Sequence, residues 1–75
     1  MNVIRNSTHD NYKLTPRELQ VLELLTEGMD NRKIAGKLGI KTRTVVNHVS
    51  EILFKMGVAN RTEAAAKARN EGVII

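Results

Sequence analysis

The stretch from Asp30 to Met56, DNRKIAGKLGIKTRTVVNHVSEILFKM, restricts the fold more than any other part of the chain. Asp30 suits a helix N-cap, and Ile34, Ala35 and Leu38 fall on one face of a short helix over 31–38. Gly39 then allows a left-handed turn, and Ile40 covers the joint. A longer helix opens at Lys41 or Thr42 and places Val45, Val49, Ile52 and Met56 on one stripe, with Leu53 at its edge. A short helix, a tight turn and a longer helix make a helix-turn-helix pattern.

Charge sharpens this pattern. Residues 31–50 hold five cations, Arg32, Lys33, Lys37, Lys41 and Arg43, and no Asp or Glu, so this window carries +5 while the whole chain carries +4. Opposite the apolar stripe of the longer helix lie Arg43, Val46, Asn47 and Ser50. Asn can bond adenine N6 and N7 together, Ser can donate or accept on several bases, and a Val methyl can pack on a thymine methyl. A basic two-helix unit with such a face is what a helix entering the DNA major groove requires.

On either side of this unit the signals are local. Residues 1–13 show no sustained periodicity and read as a flexible tail or the remnant of a linker, leaving 14–75 as the domain. Thr15, Pro16 and Glu18 form a T-x-x-E capping box with proline at the first helical position, which starts a helix over about 16–27. Leu19, Leu22, Leu25 and Met29, with Val21, line its inner face, and Gly28 stops it. Glu18 is accounted for by capping, without a role toward a partner. After Gly57 and Val58, Asn60 and Glu63 repeat the capping pattern for a last helix over about 61–71. Ala64, Ala65 and Ala68 give that helix a small-residue face for close packing, and Gly72 ends it. The expected class is all-α, four helices containing the helix-turn-helix.

Other chemistries lack their materials. The absence of cysteine excludes disulfides, zinc fingers and thiol catalysis, and fits a cytoplasmic protein. With Tyr12 and Phe54 as the aromatics, stacking platforms for single strands cannot be assembled. No apolar run approaches a membrane span. His48 and Ser50 point about 200° apart on a helix, so they cannot form a base and nucleophile pair, and position 52, where a second metal ligand would stand, is Ile. No enzymatic role, cofactor, metal or small-molecule ligand is expected.

The run Leu14-Thr15-Pro16-Arg17-Glu18, then Gly28, Asn31, Ile34-Ala35, Leu38, Ile40, Thr44-Val45, His48, Lys55-Met56-Gly57-Val58 and Asn60-Arg61-Thr62-Glu63-Ala64, resembles the LuxR-type (GerE-like) DNA-binding domain of bacterial transcription regulators. The resemblance implies a four-helix bundle serving as an effector module, with Val46, Asn47 and Ser50 facing the groove. It further implies phosphate contacts near the start of the third helix from Thr42, Arg43 and Thr44, to which the basic flank adds Asn31, Arg32, Lys33 and Lys41. It also implies pairing through the fourth helix, whose stripe is Thr62, Ala66, Arg69 and Val73. The partners so implied are double-stranded DNA, a second copy held weakly and stabilised on DNA, and RNA polymerase. Lys33 stands where the family usually has Glu, Lys41 where a capping Ser is frequent, and Phe54 where a polar residue is common. The first two shift charge toward phosphate and weaken capping, which Thr42 would restore; an outward Phe54 could pack on the N-terminal arm.

One reading from another class competes with this. The same basic helix could serve a protein-interaction module on an acidic partner, which explains the charge but leaves the polar face from Thr44 to Ser50 without a use, since such helices more often present apolar anchors.

Overall fold

The computed structural model describes residues 12–72. Among these are four helices: α1 (Pro16–Thr26), α2 (Asn31–Leu38), α3 (Thr42–Met56) and α4 (Arg61–Glu71). The all-α expectation holds, and the observed ends lie within a residue of those read from the capping signals. Thr15 accepts from the Glu18 N–H at 3.1 Å while Glu18 Oε1 accepts from the Thr15 N–H at 3.0 Å, which closes the capping box. Asp30 and Asn60 cap α2 and α4 by accepting from the N–H of Lys33 and Glu63. Glu63 Oε1 in turn accepts from the Ala59 N–H rather than from that of Asn60, one residue outside a strict capping box.

Three helices end in the same way. The N–H of Met29, Ile40 and Val58 each returns to a carbonyl five residues earlier, on Leu24, Ala35 and Leu53. Gly39 and Gly57, at φ +68°, supply the left-handed step on either side of α3, where a side chain would be strained. The two glycines therefore fix where the longest helix begins and ends.

Packing is centred on α1, which lies against both α3 and α4, while α2 lies mainly against α3. Val21, Leu22, Leu24 and Leu25 of α1 are buried, a broader inner face than the spacing indicates, because α1 has neighbours on two sides. Ile34 and Ala35 of α2 and Val45, Val49, Ile52 and Met56 of α3 complete the interior, and Leu53 is partly buried at its edge. Ala64, Ala65 and Ala68 bring α4 close, as their size allows. Each large apolar side chain so enclosed contributes about 1.5–3 kcal/mol, and truncating one such as Leu22 or Ile52 to Ala costs about 2–5 kcal/mol.

Core packing includes Tyr12, two residues before the boundary drawn at Leu14. Tyr12 packs against the core, its hydroxyl bonds a Glu71 carboxylate oxygen, and Lys67 Nζ stands 5.5 Å from the ring centroid. Burial, the bond to Glu71 and the charge of Glu71 push the phenol up to about 12, so the hydroxyl is a donor across the ordinary pH range. Lys13 takes φ +59° and turns its carbonyl to Lys55 Nζ at 3.1 Å. Residues 1–11 and 73–75 lie outside the described residues, and with them the tail assignment and the packing of Val73, Ile74 and Ile75.

Glu18 has a second role beyond capping. Its carboxylate is buried and receives Lys55 Nζ at 2.8 Å, which fastens the C-terminal turn of α3 to the first turn of α1. Burial alone would raise the carboxyl's pKa. The bonds from Lys55 and Thr15, with the charges of Lys55 and His48, outweigh it, and the carboxyl titrates below the ordinary value of 4.5. A carboxyl depressed in the folded state gives its full stabilisation above its unfolded pKa and loses it as pH falls through the folded one. Glu18→Gln, which keeps an acceptor for Thr15, should therefore cost about 1–2 kcal/mol at neutral pH. The gap between parent and variant should narrow once pH drops below 4.5. Urea unfolding at pH 7 and at acid pH reads this directly; a gap of the same size at both would contradict the charge pair.

Candidate nucleic-acid interface

The outward face of α3 follows from its inward one. With Val45 and Ile52 fully enclosed and Val49 and Met56 nearly so, the residues half a turn away must face water. Arg43, Asn47, Ser50 and Glu51 are exposed, and Val46 retains 44% of its accessible surface. Thr42 is exposed and Thr44 half-buried at the start of the helix. Lys41 occupies the N-cap without a side-chain bond to the first turn. Thr42 does not restore the cap as the sequence suggests, because it already lies inside the helix, one position past the site from which an oxygen reaches those N–H groups. The first turn of α3 thus presents free N–H groups beside Lys41 and Arg43.

All five cations of residues 31–50 are exposed, and none makes an ion pair or side-chain hydrogen bond with another described residue. Four of the six other described cations are used differently, Lys13 and Arg17 being the exceptions. Lys55 is held by Glu18, Lys67 donates to the Met56 carbonyl at 3.0 Å, Arg61 donates to Asn31 Oδ1 at 2.5 Å, and Arg69 donates to the Thr26 carbonyl at 3.3 Å. Each of these four crosses from one helix to another element of the bundle. Five of the seven described cations left without an internal partner thus lie on α2 and the start of α3.

Asn31 is half-buried with its side-chain oxygen taken by Arg61, so its amide N–H groups alone could reach a phosphate. Arg32 and Lys33 stand free on the outer face of α2, and Lys37, absent from the residues assigned by sequence, stands with them one turn after Lys33. Arg61 was also not singled out by sequence: its partner is 30 positions away, a separation that carries no local signal. His48 is half-buried beside the Glu18 carboxylate and adds to its field. On α4, Thr62 is exposed, Ala66 half-buried, and Arg69 exposed but leaning to α1; Val73 lies outside the described residues. Thr62 and Arg69 border a shallow cleft with Leu25, Met29, Arg61 and Ala65. Among the described residues no group of three or more His, Cys, Asp or Glu side chains could hold a metal ion.

Comparison with known proteins gives one family model that matches residues 12–68, described as bacterial regulatory proteins of the luxR family. The chain is 49% identical over 59 residues to the transcriptional regulatory protein DegU of Brevibacillus brevis, covering 79% of this chain and 25% of DegU. It is 46% identical over 59 residues to the transcriptional regulatory protein DesR of Bacillus subtilis, covering 79% of this chain and 30% of DesR. Against the nitrate/nitrite response regulator protein NarL of Escherichia coli it is 41% identical over 61 residues, covering 81% of this chain and 28% of NarL. These aligned segments are a quarter to three tenths of the relatives' own length.

Proposed function

The chain belongs to the luxR family of bacterial regulatory proteins, and we propose that it binds double-stranded DNA sequence-specifically as a transcription regulator or its effector domain. The observation that carries this is the set of five exposed cations without internal partners, adjoining a polar outward face on the longest helix. The helix α3 enters the major groove. Val46, Asn47 and Ser50 meet base edges, while Arg32, Lys33, Lys41, Thr42, Arg43 and Thr44 meet phosphates, with the Asn31 amide at the margin. Lys37 joins the phosphate set because it shares the outer face of α2 with Lys33. The phosphate contacts supply most of the affinity and fix the helix in register; the three base-facing side chains supply discrimination. Such a regulator works on the cytoplasmic nucleoid, and RNA polymerase is its downstream partner.

Pairing of two copies occurs on DNA through α4. The described part of the stripe, Thr62, Ala66 and Arg69, is too small for the roughly 1,200 Å² that a stable free dimer buries. Two copies on adjacent half-sites are held at high effective concentration, so a weak contact appears as cooperativity. Half-site centres then lie about 10 base pairs apart.

Asn47→Ala should cost about 1–3 kcal/mol on a duplex selected from a random pool and relax the preference at one base pair, with little change on random DNA. Titration of both duplexes measures it, and equal losses on both would make Asn47 a positioning side chain. Ala66→Glu sets two carboxylates near the pairing axis. It should abolish cooperative binding to a two-site duplex while single-site affinity stays within about twofold; unchanged cooperativity would remove α4 as the pairing surface.

A further inference from the structure

Phe54 is 80% exposed, the most exposed large apolar side chain among the described residues, and it stands on α3. Nothing among the described residues accounts for it, and the expected packing on the N-terminal arm lies outside them. At 100° per residue, Phe54 projects within about 20° of both Asn47 and Arg43 and roughly opposite the stripe of Val45, Val49, Ile52 and Met56. Seven residues separate it from Asn47, which is about 10.5 Å along the helix axis. That length is close to the roughly 12 Å width of the major groove. When Asn47 stands over the groove floor, Phe54 consequently arrives at the groove wall, where deoxyribose C–H groups and phosphates lie.

The electrostatics at this end of α3 favour the sugar over the phosphate. Lys55 is turned inward to Glu18 and Lys13, so it is not available to the duplex. Glu51, one turn before Phe54, is exposed and repels phosphate. A contact made here must then be apolar. A second copy of the chain is a poorer occupant, because one phenyl ring and the half-exposed Val46 offer far less than the area a stable dimer buries. DNA asks for no such area, since the cations of α2 and α3 already supply the binding.

We infer that Phe54 packs on the deoxyribose edge of the groove wall as an apolar, sequence-independent contact that sets how deeply and at what tilt α3 lies in the groove. This rests on the DNA-binding reading and deepens it. The ring's contact releases no counterions, and this separates it from the cationic contacts around it.

The test uses the full 75-residue chain, with Phe54→Ala and Phe54→Lys variants. Each is titrated over a range of salt against a duplex selected from a random pool and against a random duplex. Because the ring is exposed, both variants should unfold at the parent's midpoint. Phe54→Ala should weaken binding by about five- to tenfold on both duplexes, with the slope of log affinity against log salt unchanged. Phe54→Lys should steepen that slope by about 0.9, since the new ammonium would stand beside a phosphate. Equal affinity of parent and Phe54→Ala on both duplexes would overturn the inference. A loss confined to the selected duplex would overturn it in favour of a base contact. A free parent dimer abolished by Phe54→Ala would overturn it in favour of a second copy. A parent chain without salt-dependent duplex binding would instead bring down the DNA reading itself, so the two failures are distinguishable.

Discussion

Removing Val45, Val49, Ile52 and Met56 from water is the requirement on which the outer surface of α3 depends. Burial of those four side chains is worth several kcal/mol against a net stability of the same order for a chain this short. The helix therefore has one rotational setting, and a rotation of one residue, about 100°, would expose Val45 or Ile52 and enclose Val46 and Ser50 on one side or Thr44 and Glu51 on the other. Gly39 and Gly57 set its two ends, and the Glu18 to Lys55 pair fastens its last turn to α1. The surface offered to DNA is in this sense the remainder left by the core.

Charge is partitioned on the same lines. Lys55, Arg61, Lys67 and Arg69 each bond a carboxylate, an amide oxygen or a helix-end carbonyl and join elements of the bundle. Arg32, Lys33, Lys37, Lys41 and Arg43 do not, and they share an acid-free stretch. Keeping five unpaired cations close together costs stability through mutual repulsion, a cost that a polyanion offsets on binding. An unfilled N-cap at Lys41 works the same way, since a Ser there would stabilise the free helix by about 1 kcal/mol yet remove a cation from its start. The chain holds local instability where a phosphate would relieve it.

What could be read from the sequence was what is local. Caps at Thr15, Asp30 and Asn60 and turns at Gly39 and Gly57 involve residues within a few positions of each other, so spacing reveals them. The stripe on α3 was legible for the same reason, and with it the outward set of Arg43, Val46, Asn47 and Ser50. Bonds across the bundle were not: Glu18 with Lys55, Arg61 with Asn31 and Tyr12 with Glu71 are 37, 30 and 59 positions apart. Glu18 shows the limit well, because its capping role was readable from Thr15 and its tertiary role was not. Tyr12, on the tail side of the boundary drawn at Leu14, carries no local signal of its contact because its partner Glu71 stands on α4 at the other end of the domain.

DNA binding by this fold requires that the unpaired cations of α2 and α3 meet phosphates, and the salt dependence of duplex affinity measures that count. Five phosphates neutralised per protomer correspond to a slope of about −4 to −5 in log affinity against log salt. Fluorescence anisotropy of a labelled random duplex, titrated with the intact chain at several salt concentrations, should give that slope, and replacing Arg43 or Lys41 should each reduce it by about one. A slope near zero, or one that neither replacement changes, would contradict the account.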